Sequence, residues 1–565
     1  MDNPTNSRLE SMERFVTRYK AAIKAKLTKQ ELGHLLEVKP DTIRRRRLKV
    51  LHYSGLDLPH LTDDDSTDVP SKEKLSLFRE EIKRLEEAKN KFSVKKVPDT
   101  PTQKKRYVIT SAQNATPVHE QFWASLLKYA ELNDATIMVI PYRYKNPTSI
   151  WVESEKNSEY WDPKVVPYLQ TGHIYLNRHF RVMGHIKIQP TAVSPLSGFD
   201  SYTGEDSAVF GHPSIELKCI PTPAQKLPKL LSTTGSVTRP NYTDTKAGHK
   251  GEFHHSLAAA VVEIDGDRFY HRHIHADDVS GHFYDLDTLY TPERAIGGQR
   301  IAALVTGDIH AEFHDKEVEK ATYLDSDSIM SVLNPEVWAL HDLEDFYARN
   351  HHHRGRDLIT FGKHHFGRNN VEESLQLSAD FVDKHSRKGM LNLIVKSNHD
   401  EALDRWLREA DPKSDPENAI FYHYTKYHQY KSLKMTSTGF SSIDPFEFWC
   451  RNPESQKGLR SLDRTKFLRR DESFVVRDVE IGFHGDVGPN GSRGGIRAFS
   501  KIGPKLIIGH SHTPGIFQGV YQVGVSAQLN LEYARGPSSW LHTHCVIYPD
   551  GHRTLIHIVK GKWKS

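Results

Sequence analysis

The stretch Gly307-Asp308-Ile309-His310 decides how this chain of 565 residues is organised. It follows an apolar run at residues 301–305, which predicts a buried strand that ends in a tight glycine turn. A carboxylate and an imidazole, both of which bind metal ions, therefore lie two residues apart just beyond the end of a strand. Because Asp-x-His pairs also occur by chance in many proteins, this motif needs support from the rest of the chain.

The same arrangement, an apolar run followed by a cluster of metal-ligand side chains, recurs four times downstream. Ligands gather at the carboxyl ends of strands in α/β proteins, so five such ends are predicted to supply one shared site. The four further clusters are His341-Asp342-Leu343-Glu344-Asp345, Ser397-Asn398-His399-Asp400-Glu401, His484-Gly485-Asp486 and Gly509-His510-Ser511-His512.

The side chains in these clusters indicate which metal ions the site would take. Oxygen donors from Asp and Asn, mixed with imidazole nitrogens, suit Mn, Fe or Zn better than Ca or Mg alone. No cluster contains a thiolate, which argues against a structural zinc site. The chain has 34 histidines, so any single cluster is as well explained by ordinary histidines. The prediction depends on the order of all five.

Taken in order, the motifs Gly-Asp-x-His, Asp-x-x-Asp, Asn-His-Asp, His and Gly-His-x-His resemble the signature of calcineurin-like metallophosphoesterases. The resemblance covers roughly the last half of the chain, from about residue 300. It implies a β-sandwich flanked by helices that binds two divalent metal ions, with Mn expected before Fe, Zn or Mg. The implied ligands are Asp308, His310 and His512 for one ion, Asn398, His484 and His510 for the other, and Asp342 as the bridge between them.

Two further residues are implied to act in catalysis. His399 directly follows a ligand, so we expect it to reach the leaving group without binding metal and to act as the general acid. The resemblance implies that Asp345, the second Asp of the Asp-x-x-Asp cluster, steadies this histidine. The chain departs from the family's pattern at His341 and at Ser397, where glycine is usual.

The N-terminal segment is the most basic part of the chain. Residues 1–62 have a net charge of +6, against +5 for the whole protein. Thr28 and Glu31 form a capping-box pattern at the start of one predicted helix, and a second helix is predicted to begin at Pro40 or Asp41. The pattern is typical of a helix-turn-helix that binds DNA in the major groove, and a protein-docking module is the alternative. The candidate DNA contacts are Arg44, Arg45, Arg46 and Arg47.

Composition divides the chain into four predicted regions, and the predicted fold class is α/β. The helix-turn-helix (1–62) is followed by an acidic break, an amphipathic helix and a linker (63–105). The helix is either a spacer or a site of self-association that would make the protein a homo-oligomer. An α/β middle domain of unknown role (106–295) begins with a strand–helix–strand unit, which predicts a parallel strand pair. The metallophosphoesterase-like region (296–565) carries an insertion at about 401–478.

Composition also excludes several classes of protein. Cys219, Cys450 and Cys545 are far apart and form no CxxC motif, which argues against a disulfide scaffold and fits a reducing compartment. The first twenty residues are polar and charged, so no signal peptide is expected. No run of eighteen apolar residues is present, so no membrane span is expected. The predicted location is therefore the cytoplasm.

These observations predict a metal-dependent phosphodiesterase. Protein phosphatases of the superfamily carry Arg-Gly after the second cluster, whereas Phe346-Tyr347 follows Asp345 here, which argues against that branch. The basic helix pair points to nucleic acid. So do the interleaved aromatic and basic residues of the insertion, although these equally suit a packed cap.

The ordered motifs resemble the SbcD-type nuclease branch of the superfamily. The overall plan also resembles the pre-early DNA-transfer and DNA-degradation proteins of T5-type phages. These resemblances imply a Mn-dependent DNase that acts on DNA in the cytoplasm of an infected bacterium. Two alternatives stay open: a DNA-binding scaffold with an inactive phosphoesterase half, and a small-molecule phosphodiesterase.

Overall fold

The computed structural model describes residues 15–54, 58–62, 69–92, 104–146, 160–223, 226–451, 457–503, 505–531 and 535–565. The predicted acidic break at 63–66 and residues 95–103 of the predicted linker lie outside these ranges. Every helix within them is too short or too polar to span a lipid bilayer.

The N-terminal region is a small helical unit with its own core. It contains α1 (residues 15–24), α2 (Lys29–Leu35), α3 (Pro40–Ser54) and α4 (Lys72–Phe92). The predicted helix pair is confirmed, including the reciprocal capping box between Thr28 and Glu31 at the start of α2. The core of this unit is formed by the buried side chains Phe15, Tyr19, Ala21, Ala22, Ala25, Leu27, Leu32, Ile43, Leu58 and Phe78.

The predicted amphipathic helix is confirmed as α4, and its first half belongs to the N-terminal core. Phe78 is buried there, and Ile82 packs against the same cluster. The Lys74 ammonium lies 3.0 Å from the carboxylate of Glu31 on α2, an ion pair that fixes α4 against the helix pair. The apolar face of this half is therefore covered within the protomer, which leaves less of it for self-association.

The middle region begins with the predicted strand–helix–strand unit. β1 (Lys105–Gln113) and β2 (Ala135–Tyr142) are joined by α5 (Glu120–Leu132) and pair in parallel, which confirms the prediction. Five short strands and a helix follow: β3 (His173–Asn177), β4 (Phe180–Met183), β5 (Ser207–Phe210), β6 (Leu217–Ile220), β7 (Lys229–Thr233) and α6 (Lys246–Phe253).

A hairpin completes the first sheet. β8 (Ala258–Asp265) and β9 (Arg268–His275) are antiparallel neighbours, and Gly266 at their turn has a φ of 60°, which glycine adopts without steric cost. The sheet has the strand order β2-β1-β8-β9. A three-stranded sheet follows, made of β10 (Phe283–Asp285), β11 (Thr288–Tyr290) and β12 (Ala295–Ile296).

The C-terminal half alternates strands and helices. Its first part runs β13 (Ala303–Val305), α7 (Lys316–Glu319), α8 (Ile329–Leu333), β14 (Val337–His341), α9 (Asp357–His365), α10 (Val371–His385), β15 (Leu391–Val395), α11 (Glu401–Glu409) and α12 (Ala419–Lys431). Its second part runs β16 (Lys434–Thr436), β17 (Gly439–Ser441), α13 (Pro445–Cys450), β18 (Thr465–Phe467), β19 (Val475–Val476), β20 (Val479–Glu480), α14 (Ile496–Phe499), β21 (Lys505–Ile508), β22 (Gly515–Phe517), β23 (Val520–Gln522), β24 (Thr543–Ile547) and β25 (Arg553–His557).

Two mixed sheets carry this half. A six-stranded sheet has the order β18-β15-β14-β13-β24-β25, in which β13, β14, β15 and β18 are parallel. A ten-stranded sheet has the order β19-β20-β21-β23-β22-β6-β7-β5-β4-β3. Apolar side chains from both sheets, such as Val305, Ala339, Ile507 and Val523, form one buried cluster between them. A second cluster, which includes Trp338, Leu375 and Trp406, lies between the six-stranded sheet and helices α8, α10, α11 and α13.

The ten-stranded sheet crosses the predicted boundary between the middle domain and the C-terminal region. β22 pairs with β6, so strands on both sides of residue 295 share one hydrogen-bonded ladder. The predicted insertion at 401–478 likewise supplies β18, an edge strand of the six-stranded sheet. The α/β class is confirmed. The middle and C-terminal regions, however, share one sheet, and no local sequence pattern indicates this.

Candidate metal centre

The predicted ligands lie at the carboxyl ends of strands in both large sheets. Asp308 follows β13, Asp342 follows β14 and Asn398 follows β15, the three central parallel strands of the six-stranded sheet. From the ten-stranded sheet, His484 follows β20, and His510 with His512 follows β21. The strand ends predicted to supply one site are brought together, although they come from two packed sheets.

Four donor groups define the first half of the cluster. His512 Nε2 lies 3.3 Å from Asp308 Oδ2 and 3.1 Å from His310 Nε2. His310 Nε2 is 3.7 Å from Asp342 Oδ2. His310, Asp342 and His512 can thus present one donor atom each to a common point.

The second half of the cluster is organised around the other oxygen of the same carboxylate. His484 Nε2 lies 3.3 Å from Asp342 Oδ1, so the two oxygens of Asp342 face different imidazoles. The donor atoms of Asp308, Asp342 and His484 all lie within 4.8 Å of one another. His510 lies at the rim, with its exposed ring 5.3 Å from that of His484. A carboxylate that faces both halves is what the predicted bridging role of Asp342 requires.

The site contains buried polar atoms that make no hydrogen bond. They include both carboxylate oxygens of Asp308, both of Asp342, Asn398 Oδ1 and His484 Nε2. Leaving such atoms unpaired costs about 1–3 kcal/mol each, and more for charged groups. Nearly all buried polar groups in native proteins have partners. Oxygen and imidazole donors that converge and lack partners fit divalent cations, so the residues present suit the predicted metal ions.

The backbone at the ligands is also unusual. His310, Asp342, His510 and His512 have φ values of 45°, 46°, 72° and 58°. Non-glycine residues rarely adopt this left-handed region, which costs on the order of 1–3 kcal/mol at each position. Such strain collects at functional sites because the surrounding structure must hold it in place. Here it turns four predicted ligands back toward the cluster directly after their strands.

Gly509 keeps the space beside Asp308 open. A Cβ atom at this position would lie 2.3 Å from Asp308 Oδ1 and 3.3 Å from the Cβ of His341. Since Asp308 is fully buried, its carboxylate would have to shift within the cluster to relieve this clash. The glycine of the Gly-His-x-His motif therefore leaves room for the observed position of the Asp308 carboxylate.

The two departures from the family's pattern both have a structural explanation. Neither His341 nor Ser397 has a positive φ, so neither position needs glycine. His341 is buried with its Nδ1 3.4 Å from Nδ1 of His484, which leaves His484 Nε2 facing Asp342. Burial lowers the pKa of His341 to about 3, so the ring is neutral and can accept from its neighbour. His341 thus orients a predicted ligand, as partners of ligand histidines commonly do.

Ser397 closes a small capping network that fixes the predicted general acid. Its hydroxyl accepts from the backbone N–H groups of His399 and Asp400, each at 3.1 Å. The Asp400 carboxylate accepts in return from Ser397 N at 2.9 Å and from Glu344 N at 3.1 Å. The Ser-x-x-Asp spacing just before α11 is a local sequence signal for this network, which the prediction of the metal ligands alone misses.

Asp345 contacts His399 as predicted, and it has a second partner. Its Oδ1 lies 3.5 Å from His399 Nδ1 but only 3.0 Å from Nδ1 of the predicted ligand His310. Accepting from Nδ1–H of His310 leaves Nε2 of that ring free to bind a metal ion. Asp345 therefore supports both the first half of the cluster and His399.

The charges in the site act on one another through short distances. Burial raises the pKa of Asp308, and the neighbouring Asp342 raises it further. Burial opposes charge on His399 as well, but the carboxylates of Asp342 and Asp345 outweigh it and raise the pKa of His399 to about 9. A cation at the site would relieve the repulsion between the two aspartates.

The predicted DNA contacts lie apart from this cluster, on α3. Arg44, Arg45 and Arg46 are exposed. The prediction is wrong for Arg47, which is 8% exposed and donates from Nε to the carbonyl oxygen of Leu58. It follows the buried Ile43 by one helical turn, a spacing that places both on the core-facing side of the helix.

The fold and the donor set define an α/β protein with a candidate metal centre. No protein-family model matches the chain. The chain is 35% identical over 475 residues to Protein A1 of Escherichia phage T5, an alignment that covers 82% of this chain and 83% of that protein. The chain belongs to the family of this phage protein.

The predicted bridging role of Asp342 leads to a prediction about metal content. Asp342→Asn should lose both Mn²⁺ ions and the thermal stabilisation that Mn²⁺ gives, about 2.7 kcal/mol at a hundredfold excess over the dissociation constant. Asp308→Asn should weaken mainly one ion, because the predicted ligand set assigns Asp308 to the ion held with His310 and His512. Metal counting by mass spectrometry and thermal unfolding with and without a chelator measure both effects. Two retained ions in Asp342→Asn would rule out the bridge.

The clash at Gly509 gives a second prediction. Gly509→Ala should weaken Mn²⁺ binding at least tenfold, because the added methyl group displaces the Asp308 carboxylate. Gly362→Ala is the matched control, since this helical glycine has no atom within 4 Å of the added Cβ and the helix should gain slightly in stability. Isothermal titration with Mn²⁺ compares the two variants. Equal affinity would show that Asp308 does not bind the metal.

Proposed function

We propose that this protein is a divalent-metal-dependent phosphodiesterase of the calcineurin-like kind and that its substrate is DNA. The observation that carries the proposal is the convergence of Asp308, His310, Asp342, His484 and His512, with unpaired buried oxygens, next to a histidine held by Asp345. Two divalent ions bound there, with Mn²⁺ expected, would neutralise a phosphate and lower the pKa of water.

The charge of the site favours a phosphodiester over a neutral ester. Two aspartates with two divalent ions leave an excess of positive charge in a buried setting, and this excess attracts the anionic phosphate. The side chains that hold these groups come from rigid strand ends, so little reorganisation would be needed when charge develops on the phosphate oxygens.

His399 is proposed to supply the proton that the leaving oxygen needs. As a hydroxide oxygen bonds to phosphorus and the bond from phosphorus to the leaving oxygen breaks, the leaving oxygen would take one proton from the protonated imidazole, which becomes neutral. Asp345 faces Nδ1 of His399, which leaves the other ring nitrogen for this transfer. The capping network around Ser397 holds the backbone of His399 in position.

One feature supports DNA as the substrate, and a second argues against a protein phosphatase. The exposed Arg44, Arg45 and Arg46 lie on the second helix of a helix-turn-helix, the helix that enters the major groove in this motif. The position where protein phosphatases carry arginine is occupied by Phe346, which is fully buried in the helix-side core and cannot contact a phosphate.

The proton-donor role predicts a defect that depends on the leaving group. His399→Asn should keep both metal ions, bind DNA normally and lose roughly a hundredfold to ten-thousandfold in turnover on DNA. The loss should be much smaller on bis(p-nitrophenyl) phosphate, because nitrophenolate leaves without a proton. His365→Ala, at an exposed histidine of α9, is the control and should change neither rate. Equal loss on both substrates with metals intact would contradict proton donation.

The helix pair predicts a change in the salt dependence of duplex binding. Arg44→Ala combined with Arg45→Ala should lower the slope of log affinity against log salt by up to about 1.8, about 0.9 for each lost phosphate contact. Arg18→Ala combined with Lys20→Ala removes the same charge from the exposed side of α1 and is the control. Fluorescence anisotropy with a labelled duplex gives both slopes. An unchanged slope in the α3 variant would make the helix pair a protein-docking module.

A further inference from the structure

We infer that a groove next to the metal centre binds the single-stranded segment of nucleic acid that flanks the bond to be cleaved. This inference rests on the proposed function. The groove has a volume of about 590 Å³ and includes Asn398, a predicted metal ligand, in its wall. Its other walls are α11, the β16–β17 hairpin and the segment at residues 469–470. Continuity through Asn398 means that a strand in the groove would lead directly to the ions.

The groove presents basic side chains that are not used to hold the fold together. Arg405 and Arg408 lie three residues apart on α11, so they share one face of the helix, and both are exposed. Neither forms an ion pair with any residue in the part of the chain that the structure describes. Their guanidinium groups can each take a phosphate through two parallel hydrogen bonds. A pair of such groups beside a phosphodiesterase centre suits the backbone on one side of the scissile phosphate.

Other basic residues that line the groove, unlike Arg405 and Arg408, are held in ion pairs. Lys396 is held between the carboxylates of Asp404 and Asp444, and Arg470 pairs with Asp486. Arg469 lies 3.0 Å from the carboxylate of Glu447, and Arg470 also lies 4.0 Å from the carboxylate of Glu401, which lines the groove. Among the basic residues that line the groove, the arginines without an ion pair to a described residue are therefore those of α11.

One exposed aromatic side chain adjoins the groove, and two more are exposed elsewhere on the same insertion. Ser441 and Ser442 line it, and the adjoining Phe440 on β17 is 72% exposed. Tyr427 and Tyr430 of α12 are also exposed, with the ammonium groups of Lys431 and Lys426 over their rings at 5.6 Å and 4.7 Å. Rings of this kind stack on bases and are strengthened by neighbouring cations.

The aromatic rings decide between a single strand and a duplex. Base faces are available for stacking only where they are unpaired, whereas a duplex presents phosphates and base edges. The sequence left two alternatives for the insertion, a packed cap and a nucleic-acid surface, and its aromatic side chains divide between the two. Trp406 is buried in the core, whereas Phe440, Tyr427 and Tyr430 are exposed.

The test uses the full chain with Arg44→Ala and Arg45→Ala as background, so that the helix pair does not mask the groove. Arg405→Ala with Arg408→Ala is compared with Arg294→Ala and Lys388→Ala, exposed residues that do not line the groove. Phe440→Ala is compared with Phe253→Ala, an equally exposed phenylalanine on α6. Binding of a labelled oligothymidylate is measured by anisotropy in chelator. Hydrolysis of the oligonucleotide and of bis(p-nitrophenyl) phosphate is measured with Mn²⁺.

The arginine variant should bind the oligothymidylate at least tenfold more weakly, with a salt slope lower by about 1.4, about 0.7 for each lost contact to a single strand. Phe440→Ala should weaken binding about fivefold or more. In both, KM for the oligonucleotide should rise while hydrolysis of the small ester stays unchanged. The control variants should behave as the background protein.

Three outcomes would overturn the inference, and they are distinguishable from failure of the proposed function. Unchanged oligothymidylate binding in the arginine and Phe440 variants, with the small ester still hydrolysed, would rule out the groove as a binding site. The proposed function would not be affected by that result. An equal loss for a duplex of the same length would make the groove a duplex site. A tenfold loss in the control variants would make the effect one of overall charge. If the background protein with Mn²⁺ hydrolyses neither substrate, the proposed function itself fails.

Discussion

The structure of the C-terminal half depends on two buried aspartates that have no hydrogen-bonding partners. Asp308 and Asp342 lie together, their four carboxylate oxygens make no hydrogen bond, and burial together with the charge of Asp342 raises the pKa of Asp308. Burial opposes charge on Asp342 too, but His484 and the other imidazoles around it hold its pKa well below the usual range. Desolvating carboxylates in this way costs several kcal/mol for each ion unless a compensating charge is present. Three imidazoles within 3.3–3.7 Å of these oxygens supply some of that compensation, and divalent cations would supply the rest.

The architecture brings these groups together by aligning strand ends from two sheets. Parallel β13, β14 and β15 deliver Asp308, Asp342 and Asn398 to one edge, and β20 and β21 deliver the histidines from the facing sheet. The cluster of apolar side chains between the sheets fixes this alignment. Because the ten-stranded sheet includes β3–β7 of the middle region, that region helps to hold the histidine side of the centre.

Local patterns predicted much of this arrangement, and tertiary contacts account for the rest. The capping box of Thr28 and Glu31, the parallel pair of β1 and β2, and the ligand types after each strand depend on neighbouring residues, so the sequence reveals them. Arg47 was misassigned because its partner, Leu58, lies across a turn of the fold. The contact between His341 and His484 joins two sheets, and Gly509 matters only because Asp308 lies opposite it. Contacts of this kind depend on how distant strands pack, which no local motif specifies.

The central claim is that Asp342 lies between two divalent ions, one on the side of His310 and His512 and one on the side of His484. Anomalous X-ray scattering from crystals grown with Mn²⁺ tests this most directly. Two anomalous peaks are expected, each within coordination distance of a different carboxylate oxygen of Asp342. A single peak that does not contact Asp342, or no peak within reach of Asp308 and Asp342 at saturating Mn²⁺, would contradict it.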